Sequence, residues 1–353
     1  MIYVWTPDWS NRYELSHAES IQLSRHYNDY GSMTIVMPST KYNSKVCQIN
    51  GIVYDQDTDS AYVITRVQQN AKDNTITVNG YSADWLLYNR VVAKPFRVTN
   101  IEIGALNVVS QNLRGLPRVQ VGQPTGLTET TNAVFDKKGL LSEVTNVLAL
   151  ADLGRKMDFD PRALTFTFSV YKGRDKTTGK DAEVFSEERK TAKDLVITDD
   201  ISGFKNVAYA FASYSSGAEF TVVIGDAEGA ERREVWVDAS SLTQVEEETD
   251  PETGEVITAG ESNASFRHRV QEYAKTELAS YVRSRNFEVV VNPKDFGSVY
   301  MLGDMITCKS ERFGVQFNAR ITGVQYTLSD IGQETKLVLG DPEKILIGGK
   351  PIG

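Results

Sequence analysis

Two cysteines, Cys47 and Cys308, and three histidines, His17, His26 and His268, are all that 353 residues hold of the side chains most used in thiol, imidazole and transition-metal chemistry. Two cysteines are too few for a disulfide framework or a zinc cluster; sequence does not say whether they meet, and they read as two buried thiols. Long apolar runs are lacking too: none approaches the roughly 18 residues that mark a membrane-spanning helix, so membrane insertion is not expected. The N-terminus "MIYVWTPDWSNRYEL" lacks the basic start and apolar stretch of a secretory signal. The expectation is a chain made in a cytoplasm and left there folded. Neither a P-loop nor an H-E-x-x-H pair is present.

Positive charge is short as well. The formal net charge is −9, which excludes a general nucleic-acid binder with a basic face. Residues 226–261 hold 12 acidic and 2 basic side chains, so the acidity belongs to this segment and the remainder is about neutral. With 41% hydrophobic and 24% charged residues, the rest is that of an ordinary globular protein.

What is present is mainly β pattern. "SIQLSRHYN" and "GSMTIVMP" alternate with period two around a turn at Asp29, Tyr30 and Gly31. "GIVYDQDTDSAYVITRVQQNAKDNTITVNGYS" gives three further strands with turns at DQDTDS and NAKDN. After Pro95 the period changes. "TNIEIGALNVVSQNLRG" places Ile103, Leu106, Val109 and Leu113 on one face, with an Asn100 cap and a closing Gly115. "LLSEVTNVLALADLG" places Leu141, Val144, Leu148 and Ala151 on one side and ends at Gly154. Strands return at "NVAYAFASY", "EFTVVIGD" and "REVWVDA". The acidic arm follows, then an amphipathic helix in which Phe266, Val270, Tyr273, Leu278, Tyr281 and Val282 recur at helical spacing, then a closing β-meander. The fold class expected is mainly β with an α+β insertion: two small antiparallel β-barrel domains flanking a mixed domain. The boundaries are 1–97, 98–200 and 201–353, the last carrying the acidic arm 226–262 and the long helix about 263–284.

Each motif with chemical promise has a structural reading beside it. GYSAD, at Gly80 to Asp84, resembles the G-x-S-x-G elbow that exposes a nucleophilic serine. Asp84 stands where the elbow wants glycine. A triad in the hydrolase order needs a histidine after the serine, and His268 is the sole one, off the apolar stripe and facing water. Ser82 therefore reads as the cap of a helix running Ala83 to Val91. Asp55 to Ser60, "DQDTDS", opens like a calcium loop, but Ser60 and Arg66 stand where an EF-hand needs Gly and Glu. It reads as a hairpin turn. The acidic arm, with Asp250-Pro251-Glu252-Thr253-Gly254-Glu255, could hold a divalent cation and is equally a solvated β-turn. A pair of glycosidase carboxylates need not be close in sequence, yet nothing requires one. The 16 Tyr and 4 Trp are spread as core and interface material, not as a stacking platform for single strands. No catalytic, cofactor-binding or metal residue is assigned, and no cofactor is expected.

Four segments in order resemble the tail-hub (minor tail) proteins at the tip of siphophages and the N-terminal structural region of tail-associated lysins. They are "RHYNDYGSMTIVMP" with "GIVYDQDTDSAYVITRV", then "TVNGYSADWLLYNRVV", then "VFSEERKTAKDLVITDDISGFKNVAYA", and lastly "VYMLGDMITCKSERFGVQFNARITGVQYTLSDIGQETKLVLG". The resemblance implies a homotrimer whose two β-barrel domains per chain form a pseudo-sixfold ring. That ring would lie below the distal tail protein, meet the tape-measure and receptor-binding proteins, and let DNA pass without specific binding. Many such hubs carry a C-terminal peptidase or wall hydrolase, whereas this sequence stops at "DPEKILIGGKPIG". The expectation is a structural virion protein of the tail tip, from a free phage or a prophage, and not an enzyme. A wall hydrolase using Ser82 or a carboxylate pair, and a carbohydrate-binding module, are the alternatives.

Overall fold

A computed structural model describes residues 1–340, apart from 16, 132, 136, 247, 250–255, 259 and 331, and the short strands Ile345–Leu346 and Lys350–Pro351. Side chains are not described at 248–249, 256–258, 284–286 and beyond 340. The chain forms two units. One comprises 1–196 and 287–339, the other 197–286 with 340–353.

The first unit opens with β1 (Ile2–Trp5), β2 (Arg12–Glu14), β3 (Ser20–His26) and β4 (Ser32–Pro38). After the short helix α1 (Lys41–Val46) come β5 (Ile52–Asp55), β6 (Ser60–Asn70) and β7 (Thr75–Ser82). They pair antiparallel in the order β3-β4-β7-β6-β5-β1-β2. Alternation puts Leu23, Met33, Ile35, Met37, Ile76 and Val78 into one core with Val46 and Cys47. Trp5, Tyr54 and Val63, on the opposite face, pack with Phe159 and Phe166. Asp55–Ser60 is a hairpin turn: Thr58 donates to Asp55 at 2.7 Å, and its hydroxyl lies 2.6 Å from that of Ser60.

Helices α2 (Ile101–Asn112) and α3 (Leu140–Ala149) share a core with Phe135, Phe168 and Val170. Asn100 caps α2, accepting the Ile103 N–H at 2.9 Å, and Gly115 beyond it has φ +73°. The buried face of α2 keeps Leu106 and Val109 of the expected stripe, with Leu113 packed against the same core, and departs from it at Ile103. Ile101, Ala105, Val108 and Val109 are buried while Ile103 is 47% exposed, because Gly104 presses on Val98, where a Cβ would stand 2.5 Å from its side chain. Gly154 does not end α3: Asp152, at φ +58°, turns the chain and Gly154 starts β8 (Gly154–Asp160), paired with β9 (Thr165–Tyr171).

In the second unit β10 (Val207–Ser213) lies between antiparallel β11 (Glu219–Ile224) and parallel β12 (Glu234–Asp238). Helix α4 (Asn263–Leu278), shorter than the expected 263–284, is capped by Ser262, whose hydroxyl accepts from the Ser265 N–H. Its Phe266, Val270, Ala274 and Leu278 lie one turn apart and pack on Ala208, Ala210 and Ala212. These alanines admit the helix and send Tyr209 and Phe211 to the other face. There Phe211 stacks on Trp236, itself 62% exposed.

The chain returns to the first unit as β13 (Met305–Ser310), β14 (Val315–Ser329) and β15 (Gly332–Gly340). The first half of β14 pairs with β13; the second half, Gly323–Ser329, pairs antiparallel with β3. Early and late strands thus share one sheet. Among the described residues that sheet is an open path, and no closed barrel is seen. Both cysteines are buried and free.

Candidate functional site

Strand β7 delivers Ser82 to the start of a 3-10 helix, Ala83–Asn89, and not to an α-helix reaching Val91. Its hydroxyl makes no cap bond to that helix. It accepts the Gly31 N–H at 2.7 Å and donates to Asp84 Oδ1 at 2.5 Å, while the Ser82 N–H donates to the Gly31 carbonyl at 3.0 Å. The cap expectation is corrected on this point: the partner that completes the hydroxyl lies on the β3–β4 loop, 51 residues away in sequence.

Asp84 is buried and accepts Arg155 Nε at 3.1 Å. The Arg155 side chain is wholly buried. Its Nη1 donates to the Asn28 carbonyl at 2.5 Å and to Thr145 Oγ1 at 2.7 Å, and its backbone N–H donates to the Tyr27 carbonyl at 3.0 Å. Nη2 has no hydrogen-bond partner. The Ser82–Asp84–Arg155 chain therefore fastens the β3–β4 loop, the 3-10 helix, α3 and β8 together. Beside it is a cavity of about 50 Å³ lined by Arg25, His26, Asp29, Asp84, Arg155 and Tyr171 among others. Small-molecule sites run to ~300–1,000 Å³, so this space suits water and not a substrate.

His26 lines that cavity, which sequence order alone hid because it precedes Ser82. Burial holds its imidazole pKa below the usual value, against the opposing pull of Asp29 and Asp84. The described hydrogen bonds of Ser82 reach Gly31 and Asp84 and no histidine. His268 lies in the other unit with its ring 73% exposed, 3.8 Å from Glu272. A triad nucleophile needs a histidine base within hydrogen-bond reach, and Ser82 instead donates a hydrogen bond to a carboxylate already held by an arginine. The arrangement is a latch. Arg155 carried one faint sequence signal, a cation at an inward position of the strand "GRKMDFD".

A second junction ties β8 and β9 to β3 and β14. The Tyr27 ring sits where a Cβ on Gly154 or on Gly303 would come within 2.2 or 2.4 Å of it. Its hydroxyl donates to the Asp152 carbonyl and accepts the Gly173 N–H. Arg320 lies 5.2 Å over the ring and pairs with the Asp152 carboxylate. Arg174 grips the buried Asp304 through Nε and Nη2. At the surface Tyr30, Tyr81, Trp85 and Tyr88 form a ring cluster. Tyr81–Trp85 and Trp85–Tyr88 are near-parallel at 5.7 and 6.0 Å, Tyr30 meets Tyr81 edge-on, and Tyr88 is 58% exposed.

Among the described residues, no group of three or more His, Cys, Asp and Glu side chains is placed to hold a metal ion; the acidic arm falls partly outside them. No helix among them is long and apolar enough to cross a membrane.

Several solved structures share this architecture. The tail protein from Neisseria meningitidis MC58 is 12% identical, with 97% of each chain covered and a TM-score of 0.57. The 43 kDa tail protein of prophage MuSo2 from Shewanella oneidensis is 10% identical, covering 98% of this chain and 99% of its own, at 0.58. Prophage tail protein gp18 from Listeria monocytogenes EGD-e is 14% identical, covering 96% and 94%, at 0.50. At such identity the likeness is one of fold. No curated protein matches the sequence. The family model described as Siphovirus ReqiPepy6 Gp37-like protein matches residues 1–341, so the chain belongs to that family of siphovirus tail proteins.

Proposed function

We propose that this protein is a structural hub of the tail tip, a homotrimeric ring that continues the tail channel below the distal tail protein. The observation that carries the reading is the match of nearly the whole chain, in family and in fold, to phage tail proteins. On this reading residues 1–97 and 201–353 supply two ring domains per subunit. Three subunits then offer six similar docking surfaces to a sixfold neighbour, and residues 98–200 make lateral contacts. The sharing of one sheet by β3 and β14 supports a ring body built from both ends of the chain.

The passing ligands are DNA and, before it, the tape-measure protein. A neutral or acidic lumen would let phosphates slide without the counterion-releasing contacts that make binding strong. The site chemistry favours a structural role over the wall-hydrolase alternative, since the described hydrogen bonds of Ser82 reach no histidine and its carboxylate partner is paired with Arg155. The exposed aromatic cluster at Tyr88 fits an assembly surface, because such surfaces are enriched in Tyr and Trp. Synthesis is placed in the host cytoplasm and residence in the virion tail tip.

Light scattering after size exclusion over a range of concentrations tests the reading. A mass of three chains, with a central channel in electron micrographs, is the expected result. A monomer that stays monomeric when mixed with the distal tail ring, and that binds no tail component, would overturn it.

A further inference from the structure

His26 is half-buried and lines the same small cavity as Ser82, Asp84 and Arg155 of the latch, whereas His17 and His268 are exposed. We propose that His26 is an acid-operated release: a proton taken up by its imidazole opens the junction between the β3–β4 loop, the 3-10 helix Ala83–Asn89 and β8.

The geometry sets the mechanism. His26 ends β3 opposite Gly323 of β14, and a Cβ on Gly323 would stand 3.1 Å from its Nδ1, so the ring is pressed onto bare backbone. Charged and titratable groups surround the shared cavity from every side. Arg25 comes from the same strand, and Asp29 comes from the following loop. Asp59 comes from the β5–β6 turn and Asp84 from the 3-10 helix. Arg155, Lys156 and Asp158 come from β8, and Tyr171 from β9. Tyr30 flanks Asp29. The described hydrogen bonds include none from the His26 ring.

An imidazolium carries two N–H donors; Asp29 and Asp84 both act on it electrostatically, and of the two the buried one is Asp84. That carboxylate is already divided between Ser82 and Arg155. Sharing it with a second cation leaves the Arg155 guanidinium under-compensated in a fully buried position, and removing the partner of a buried ion is among the costlier changes in a protein. Nη2 has no partner among the described protein groups, so no protein acceptor is at hand to replace the shared carboxylate. Opening the junction hydrates both cations. Because burial lowers the imidazole pKa in the closed form, the open form binds the proton more tightly. Acid therefore shifts the balance toward opening. The released 3-10 helix carries Trp85 and Tyr88, so the aromatic cluster moves with it.

The chain suits a clean test, since His17 and His268 are both exposed. Amide hydrogen exchange of the intact protein is compared at about pH 7.5 and about pH 5, either side of histidine titration, after correction for intrinsic rates. The Gly31 amide, which reports the bond to Ser82 Oγ, and the amides of Ser82–Asn89 are expected to open several-fold more at the acid pH. The amides of α4 should be unchanged, and His26→Gln should remove the response. An unchanged wild type, an equal response in the variant, or a loss of protection throughout the unit would overturn the proposal. Should the variant fail to fold, an NMR titration of the wild type decides: the His26 ring and the Gly31 amide must share one midpoint, and independent midpoints refute the coupling.

Discussion

Glu102 shows how much one side chain can organise at the residue scale. It sits in the first turn of α2, and its carboxylate accepts four hydrogen bonds from the 125–127 loop. Thr125 N–H and Oγ1 approach at 2.6 and 2.7 Å, Gly126 N–H at 3.1 Å and Leu127 N–H at 2.8 Å. Burial alone raises the pKa of this group, but the bonds from Thr125, Leu127 and Gly126 outweigh it and hold it below the ordinary glutamate value. A depressed carboxylate gives stability that is fully present above its unfolded value and lost as the pH falls through its folded value. Urea midpoints measured from neutral pH into the acid range should show Glu102→Gln losing stability above pH ~4.5 and converging on the wild type below it. In the latch, Asp84→Asn removes the charge facing Arg155 while keeping the shape. It should cost about 3–5 kcal/mol in urea unfolding, whereas Ser82→Ala, which leaves the Gly31 N–H without its partner, should cost about 1–3 kcal/mol.

Among the elements, α4 depends on packing more than on its own sequence. Its buried residues are one per turn, and its remaining surface is mostly polar or charged, with Lys275 paired to Glu272 and Arg269 to Glu261. Phe266 is fully buried against Phe220 and Tyr214. Phe266→Ala should therefore destabilise the second unit by about 3–5 kcal/mol, read as earlier loss of exchange protection in β10 and α4. In α2 the cap is a smaller and local matter. Asn100→Ala should cost about 1 kcal/mol, seen as a lower denaturation midpoint with an unchanged urea slope. The cap was legible in sequence because its partner is three residues away. The buried face of α2 was legible at Leu106 and Val109 and not at Ile103, whose exposure depends on where Val98 lies.

For the whole molecule, the junctions are made where chain segments distant in sequence touch. Gly173 passes so close to Gly303 that a Cβ would stand 1.7 Å from its carbonyl oxygen, so backbone must shift to admit even a methyl group. Gly173→Ala should lower the melting temperature and loosen the Arg174–Asp304 pair, and crystallography of the variant would show that pair displaced.

The sequence by itself determined the local features. Period-two alternation marked β3, β4 and β7, the Asp55–Ser60 turn declared itself by composition, and Asn100 and Gly115 bounded α2, since each of these rests on neighbours in the chain. The order of four segments also pointed to the tail-protein family. The tertiary structure decided the rest. It placed Gly31 on Ser82, Arg155 on Asp84 and His26 beside both, and it joined β14 to β3 in one sheet. No pattern in the sequence encodes these contacts, because a hydrogen bond or a buried ion pair is specified by position in space, and the chain reaches those positions only once its cores have closed.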